Sequence, residues 1–254
     1  MLPAYFDHNA TTPLDERVLA AMLPYFREHY GNPSSRHEYG REARRAVDSA
    51  REQVAGAVGA YPSQVIFTSG GSEANNLAVR GGTAWLPPSQ VVVSAIEHPC
   101  VMKPAQELQQ HGWKLRKIGV LSDGSADVAD LENALLAPTG LVAVMLANNE
   151  TGVVQDVVKL SGIAHRRGAL MHTDAVQALG KVPVDFAALG VDMLSLSAHK
   201  AYGPKGIGAL VVGKNVELQA LIVGARHEKG LRAGTENVPG IVGFGVACEL
   251  AAAR

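Results

Sequence analysis

Cysteine is almost missing from this 254-residue sequence. Only Cys100 and Cys248 occur, too few and too far apart for a disulfide framework or a CxxC metal motif. An excess of one charge is also lacking: 23 Lys and Arg face 24 Asp and Glu, with no basic stripe for nucleic acid and no acidic tail. No apolar run approaches the ~20 residues of a membrane-spanning helix. The longest, such as Leu141 to Ala147, are strand-sized. Met1 to Asp7 shows no basic segment ahead of an apolar one, so no secretory leader is expected. The sequons at Asn9 and Asn149 therefore lack a secretory context, and a cytoplasmic protein is expected. Repeats, low-complexity tracts and long linkers are absent. The nine histidines form no HExxH or comparable spacing, so no metal site is expected.

What is present is an apolar fraction of 47%, ample for a packed core. The length suits one large domain or two small ones. Short β-branched runs recur at Val65 to Thr68, Val91 to Ala95, Leu115 to Ile118, Leu141 to Leu146, Leu170 to His172, Met193 to Ser197 and Ala209 to Val212. Several are apolar throughout, as in strands buried on both faces of a parallel sheet. Helical patterns separate most of them. The clearest puts Ala43, Ala46, Val47, Ala50, Val54, Ala57 and Val58 on one face. Others cover 73–84, 99–111, 127–136 and 156–167, and the alternation predicts a doubly wound α/β sheet. From Asn237 an Ala-rich apolar segment reads as a helix, inside which the sequence stops at Arg254.

Two glycine-rich stretches resemble nucleotide motifs and fail. Gly208 to Asn215 is one residue short of a phosphate loop and has Asn215 where a hydroxyl is needed. Gly203 to Gly208 has the wrong spacing for a dinucleotide fingerprint.

Open α/β sheets bind ligands beyond the carboxyl ends of their strands, so the residues delivered there matter most. The first strand delivers Ser69-Gly70-Gly71-Ser72-Glu73, opening into a helix whose free N–H groups suit a phosphate. The next delivers Glu97-His98-Pro99, where a histidine serves either structure or chemistry. The fourth delivers Asn148-Asn149-Glu150-Thr151-Gly152, the fifth His172-Thr173-Asp174-Ala175-Val176-Gln177, and the sixth Ser195-Leu196-Ser197-Ala198-His199-Lys200. Lysine, strand-end carboxylate and phosphate cradle together point to pyridoxal 5'-phosphate. That cofactor needs a lysine for its aldehyde, an acid or base against its ring nitrogen and anchors for its phosphate. Desolvation would lower the lysine toward a usable amine.

The ordered motifs Asp7-His8-Asn9-Ala10-Thr11-Thr12-Pro13, Gly31-Asn32-Pro33-Ser34-Ser35, Phe67-Thr68-Ser69-Gly70, Glu97-His98, Asn148 to Gly152, Asp174 to Gln177, Ser197 to Lys200 and Arg232-Ala233-Gly234-Thr235-Glu236-Asn237 resemble those of the cysteine desulfurases of the class V aminotransferase superfamily. The resemblance implies the large domain of a fold-type I PLP-dependent transferase: a mainly parallel seven-stranded sheet with helices on both faces. Residues 1–14 would form an N-terminal arm near the active site and 15–254 the PLP-binding domain, with the small C-terminal domain absent.

It also implies residue roles. Lys200 would carry the cofactor and move protons between substrate carbon atoms. Asp174 would pair with the ring nitrogen and Gln177 with the ring hydroxyl. His98 would stack on the ring and act in acid–base steps. Gly71, Ser72, Ser197 and His199 would hold the phosphate, and Thr235 would reach the phosphate of a dimer partner. Asn149 would lie beside cofactor and substrate carboxylate. The family converts L-cysteine to L-alanine, passing sulfur as an enzyme persulfide to an acceptor or iron–sulfur scaffold protein.

The family's persulfide cysteine and its substrate-binding arginine lie beyond the position of Arg254, so a truncated chain is expected. Cys248 reads as packing, and Cys100 does not occupy the family's nucleophile position. Gly224-Ala225-Arg226-His227-Glu228 also departs from a more glycine-rich run. Selenocysteine lyase or another class V PLP enzyme, and a non-catalytic dimerising fragment, are the alternatives.

Overall fold

A computed structural model describes residues 4–253. Seven strands form one sheet: β1 (Val65–Thr68), β2 (Gln90–Ser94), β3 (Lys114–Ile118), β4 (Leu141–Ala143), β5 (Leu170–Asp174), β6 (Met193–Ser197) and β7 (Gly208–Val212). Their spatial order is β1-β7-β6-β5-β4-β2-β3. β7 runs antiparallel to both β1 and β6, and the other pairs are parallel. The link from β6 to β7 holds one short 3-10 turn, Ala198–Lys200, and no crossover helix, so β7 must run backwards.

Apart from the charged edge strand β3, the strands are buried on both faces because two cores sandwich the sheet. Val65, Phe67, Val92, Val142, Leu194, Leu196 and Val211 point into one core. Their neighbours Ile66, Val91, Val93, Leu141, Ala143, Met193 and Leu210 point into the other. Nine helices flank the sheet among the described residues: α1 (Glu16–Met22), α2 (Pro24–Arg27), α3 (Glu38–Ala57), α4 (Gly71–Asn76), α5 (Pro99–Glu107), α6 (Val128–Ala134), α7 (Val157–Arg166), α8 (Phe186–Leu189) and α9 (Val238–Ala252). α4 runs on into a π-helical turn, Leu77–Gly81.

In the first core α3 contributes Ala43, Val47, Ala50 and Val54, and α9 contributes Ile241, Phe244 and Cys248. The two helices approach closely at Gly245, where a Cβ would lie 2.9 Å from Ala50 Cα. α9 is apolar all round because α1 covers it too, through Val18 and Met22 against Ala247. No helix among the described residues is long and apolar enough to cross a membrane.

Six strands run the same way, so β1, β2, β4, β5 and β6 open onto one edge of the sheet. The chain ahead of α1 is tied there. Thr12 donates from both its N–H, at 3.0 Å, and its Oγ1, at 2.9 Å, to the His199 carbonyl. Tyr202 N–H donates in turn to Thr12 Oγ1 at 2.8 Å.

Candidate active site

The strand ends and the tied N-terminal residues enclose a cleft of about 490 Å³. Of the sequence-based candidates, Gly71, Ser72, His98, Asn149, Asp174, Gln177, Ser197, His199 and Lys200 all line it. Thr235 does not. It is exposed, on a segment fixed at both sides by ion pairs of Arg232 with Glu73 (2.9 Å) and of Glu236 with Arg44 (2.5 Å).

The β1–α4 turn is shaped by two glycines. Gly70 has φ of 151°, in the region that favours glycine. A Cβ on Gly71 would stand 2.8 Å from Val176 Cγ2 and 3.5 Å from Ser197 Cβ. The backbone here therefore lies directly against the β5 and β6 ends, and only glycine fits.

β5 delivers Asp174, buried at 6% exposure. Its Oδ1 accepts the Val176 N–H at 2.9 Å and its Oδ2 accepts the Asn75 amide at 2.7 Å. Burial pushes this carboxyl up, while those two donors and the charges of His98 and Lys200 pull it back. The result is a buried acid whose directly bonded donors are both neutral.

β6 delivers Lys200, half-buried at the end of the 3-10 turn. Its Nζ donates to the carbonyls of Asn9 (2.5 Å) and Ala10 (2.8 Å). Burial lowers it below an ordinary lysine, and Asp174 and Asp7 offset part of that. His199 Nδ1 lies 3.1 Å from Thr11 Oγ1. Desolvation, with the charges of Lys200 and Lys205, lowers His199 also.

At the end of β2, His98 caps α5: its Nδ1 accepts the Cys100 N–H at 3.2 Å, and Pro99 fills the first helical position. Its neighbour Glu97 turns inward, where Oε1 accepts from Ser94 Oγ (2.5 Å) and Met145 N–H (2.7 Å). Burial pushes Glu97 up to about 8. Beyond β4, Asn148 organises the loop: its Oδ1 accepts the N–H groups of Glu150 and Thr151, both at 2.9 Å. That turn presents Asn149 to the cleft, where its carbonyl accepts from Asn9 Nδ2 at 3.0 Å.

Two residues, Asn75 and Lys181, escape the sequence reading, which sets a third aside. Asn75 lines the cleft one turn after Ser72 on the same helix, a spacing that could have revealed it. Cys100, set aside as a nucleophile, lines it too. Lys181, four residues after Gln177, does not line the cleft but supports two residues that do, reaching Gln177 Oε1 at 2.5 Å and Asn9 Oδ1 at 3.1 Å. Cys248 is packing as expected: it is fully buried, and burial drives its thiol far up. The departure at Arg226 to Glu228 ends in a tight turn, with Glu228 and Lys229 at φ of 44° and 61°. Glu228 is buried there, accepting from Arg51 (2.6 and 2.8 Å) and from Phe67 N–H (2.9 Å).

The family model described as aminotransferase class-V matches residues 4–254. A cysteine desulfurase of Enterobacter agglomerans is 47% identical over 253 residues, covering 99% of this chain and 63% of that protein. A solved NifS-like protein superposes with a TM-score of 0.95 at 41% identity, over 98% of this chain and 70% of that one. A structure described as SspA in complex with cysteine gives a TM-score of 0.93 at 40% identity, over 97% and 72%. The chain thus spans a little under two thirds of the length of the curated relative.

Proposed function

This chain belongs to the aminotransferase class-V family, and we propose that it forms the pyridoxal phosphate-binding part of a cysteine desulfurase, converting L-cysteine to L-alanine. One observation carries the reading: a half-buried lysine, Lys200, and a buried carboxylate, Asp174, open into the same cleft as a glycine-floored turn.

The donor set suits the cofactor. The two donors that bond Asp174 directly are neutral, and a protonated ring nitrogen would supply a cation in contact with it. The bare Gly71 backbone leaves room for a phosphate beside Ser72, Ser197 and His199. When bound, pyridoxal phosphate supplies an electron sink that stabilises negative charge at the substrate α-carbon.

The remaining work falls to the chain. Asp174 keeps the ring nitrogen protonated. Gln177 offers its amide to the ring hydroxyl. Lys200 Nζ, lowered by burial, holds the cofactor at rest, then takes the α-carbon proton and delivers one to the methyl carbon of alanine. His98 serves the ring face and the departing sulfur. Asn149 orients the substrate carboxylate.

The sulfur must leave to a thiol. The Cys100 thiol is held up to about 11, by burial first and then by Asp174, and Cys248 is sealed in the core. Neither offers a thiolate, so the reading requires another thiol, and beyond it a sulfur-acceptor or iron–sulfur scaffold protein. It also takes the protein to be a cytoplasmic homodimer, in which Thr235 on its braced segment contacts the partner's phosphate.

Pyridoxal phosphate added to the purified chain should give a visible absorbance that survives desalting and disappears in Lys200→Ala. A band of equal strength in that variant would refute the lysine assignment.

A further inference from the structure

Four side chains along one wall of the cleft join in a continuous series. Asn75 is completely buried, and its Nδ2 donates to two acceptors, Asp174 Oδ2 at 2.7 Å and Cys100 Sγ at 2.9 Å. Cys100 Sγ lies 2.8 Å from His98 Nδ1.

The direction of each bond can be worked out. His98 Nδ1 already accepts the Cys100 backbone N–H at 3.2 Å, so that nitrogen carries a lone pair and no hydrogen. The thiol then donates its S–H to the same lone pair in a three-centre arrangement, with the Ser72 side chain also within hydrogen-bonding reach of the sulfur. Its sulfur lone pairs remain free to accept from Asn75, whose two amide hydrogens serve the thiol and the carboxylate. A neutral His98 is left with its proton on Nε2.

We propose that Asn75 and Cys100 are positioning residues, a hydrogen-bonded bridge that ties Asp174 to His98 and holds His98 as its Nε2–H tautomer. The relevance to catalysis rests on the function proposed above, in which Asp174 meets the ring nitrogen and His98 the ring face. The bridge makes these two groups one unit: Asn75 favours the ionised form of Asp174 against its burial, and His98 offers a fixed N–H to the cleft. It also explains why Cys100 is kept as a thiol. A thiolate could not donate to Nδ1, and burial beside Asp174 disfavours that form. The other titratable groups nearby are Glu97, buried one residue before His98 and raised in part by Asp174, and Lys200, whose charge lowers Asp174.

Nitrogen-15 NMR of the histidine-labelled chain without cofactor tests the bridge, with His98→Gln assigning the signal. Wild type should show the Nε2–H tautomer. Cys100→Ala removes the S–H donor and should raise the pH midpoint of the His98 ring signals by about half a unit, the order expected for one weak hydrogen bond. Cys100→Ser keeps a donor in place and should restore the wild-type midpoint. Asn75→Ala should raise the midpoint of the Asp174 carboxyl carbon. An Nδ1–H tautomer in wild type, or identical His98 titrations in wild type and Cys100→Ala, would overturn the bridge. Cofactor uptake by wild type is recorded separately. Expected His98 signals without uptake would support the bridge and defeat the functional reading. Uptake with an unresponsive His98 would do the reverse.

Discussion

Lys181 Nζ lies 2.5 Å from Gln177 Oε1 and so fixes which way the Gln177 amide faces. With its oxygen engaged by an ammonium, Gln177 turns its NH2 group toward the cleft, where Nε2 donates to the Asn9 carbonyl at 2.8 Å. Lys181 also reaches Asn9 Oδ1 at 3.1 Å. The lysine thereby decides that Gln177 acts as a donor, the polarity an oxyanion on the cofactor ring requires.

Lys181→Met should therefore leave the fold intact and weaken pyridoxal phosphate binding about tenfold. A hydrogen bond to a charged group contributes ~1.5 kcal/mol or more, and ~1.4 kcal/mol is one decade in affinity. Equilibrium titration by absorbance measures this; unchanged affinity would show that Gln177 needs no such support.

Lys200 is lowered from 10.5 by burial, with Asp174 and Asp7 acting against that. Only the neutral amine attacks an aldehyde. The rate of cofactor uptake should accordingly rise with pH and level off at a midpoint below 10.5. Removing the attraction of Asp174, as in Asp174→Asn, should move the midpoint lower still. Stopped-flow absorbance across pH gives both values, and a midpoint at or above that of ordinary lysine would contradict the account.

Glu97 stands at about 8 in the folded chain against 4.5 as a free carboxyl. The folded state therefore holds a proton that the unfolded state releases. The stabilisation is complete below 4.5 and is lost as pH rises through 8. Glu97→Gln should flatten that decline. Thermal melting across this range should show the wild-type Tm falling more steeply than the variant's.

Gly71→Ala would put a methyl 2.8 Å from Val176 Cγ2. Overpacking of this kind costs ~1–3 kcal/mol, so the urea midpoint should drop. Cofactor affinity should drop further than stability alone explains, because the same methyl narrows the phosphate cradle. Wild-type affinity in a destabilised variant would separate the two effects and count against the cradle.

Much of the sheet could be read directly from the sequence. All seven strands lie where short runs are expected, and outside the charged edge strand β3 the reason is that sandwiching between two cores demands burial on both faces. Val91, Val92 and Val93 show this within three residues. The reversed direction of β7 was not visible, since it follows from the shortness of the link after Lys200 rather than from composition. α1, α2 and α8 are too short, at 7, 4 and 4 residues, to show a helical period.

Strand-end residues were legible because topology alone gathers them at one edge. Asn75 was not, as its role depends on contact with Asp174, 99 positions away. Lys181 follows a run of turns rather than a helix, so its four-residue spacing from Gln177 carried no signal. Thr235 is exposed and does not line the cleft of its own chain, and its proposed contact belongs to a second copy.

Where the cofactor attaches tests the central claim most directly, because two amines compete. Lys200 is close enough to lower the proton affinity of Lys181, though burial is the larger cause there. The chain should be loaded with pyridoxal phosphate, reduced with borohydride, digested and mapped by mass. The account predicts the added mass on the peptide carrying Lys200, at one cofactor per chain. Label on Lys181, or spread over surface lysines without preference, would contradict it.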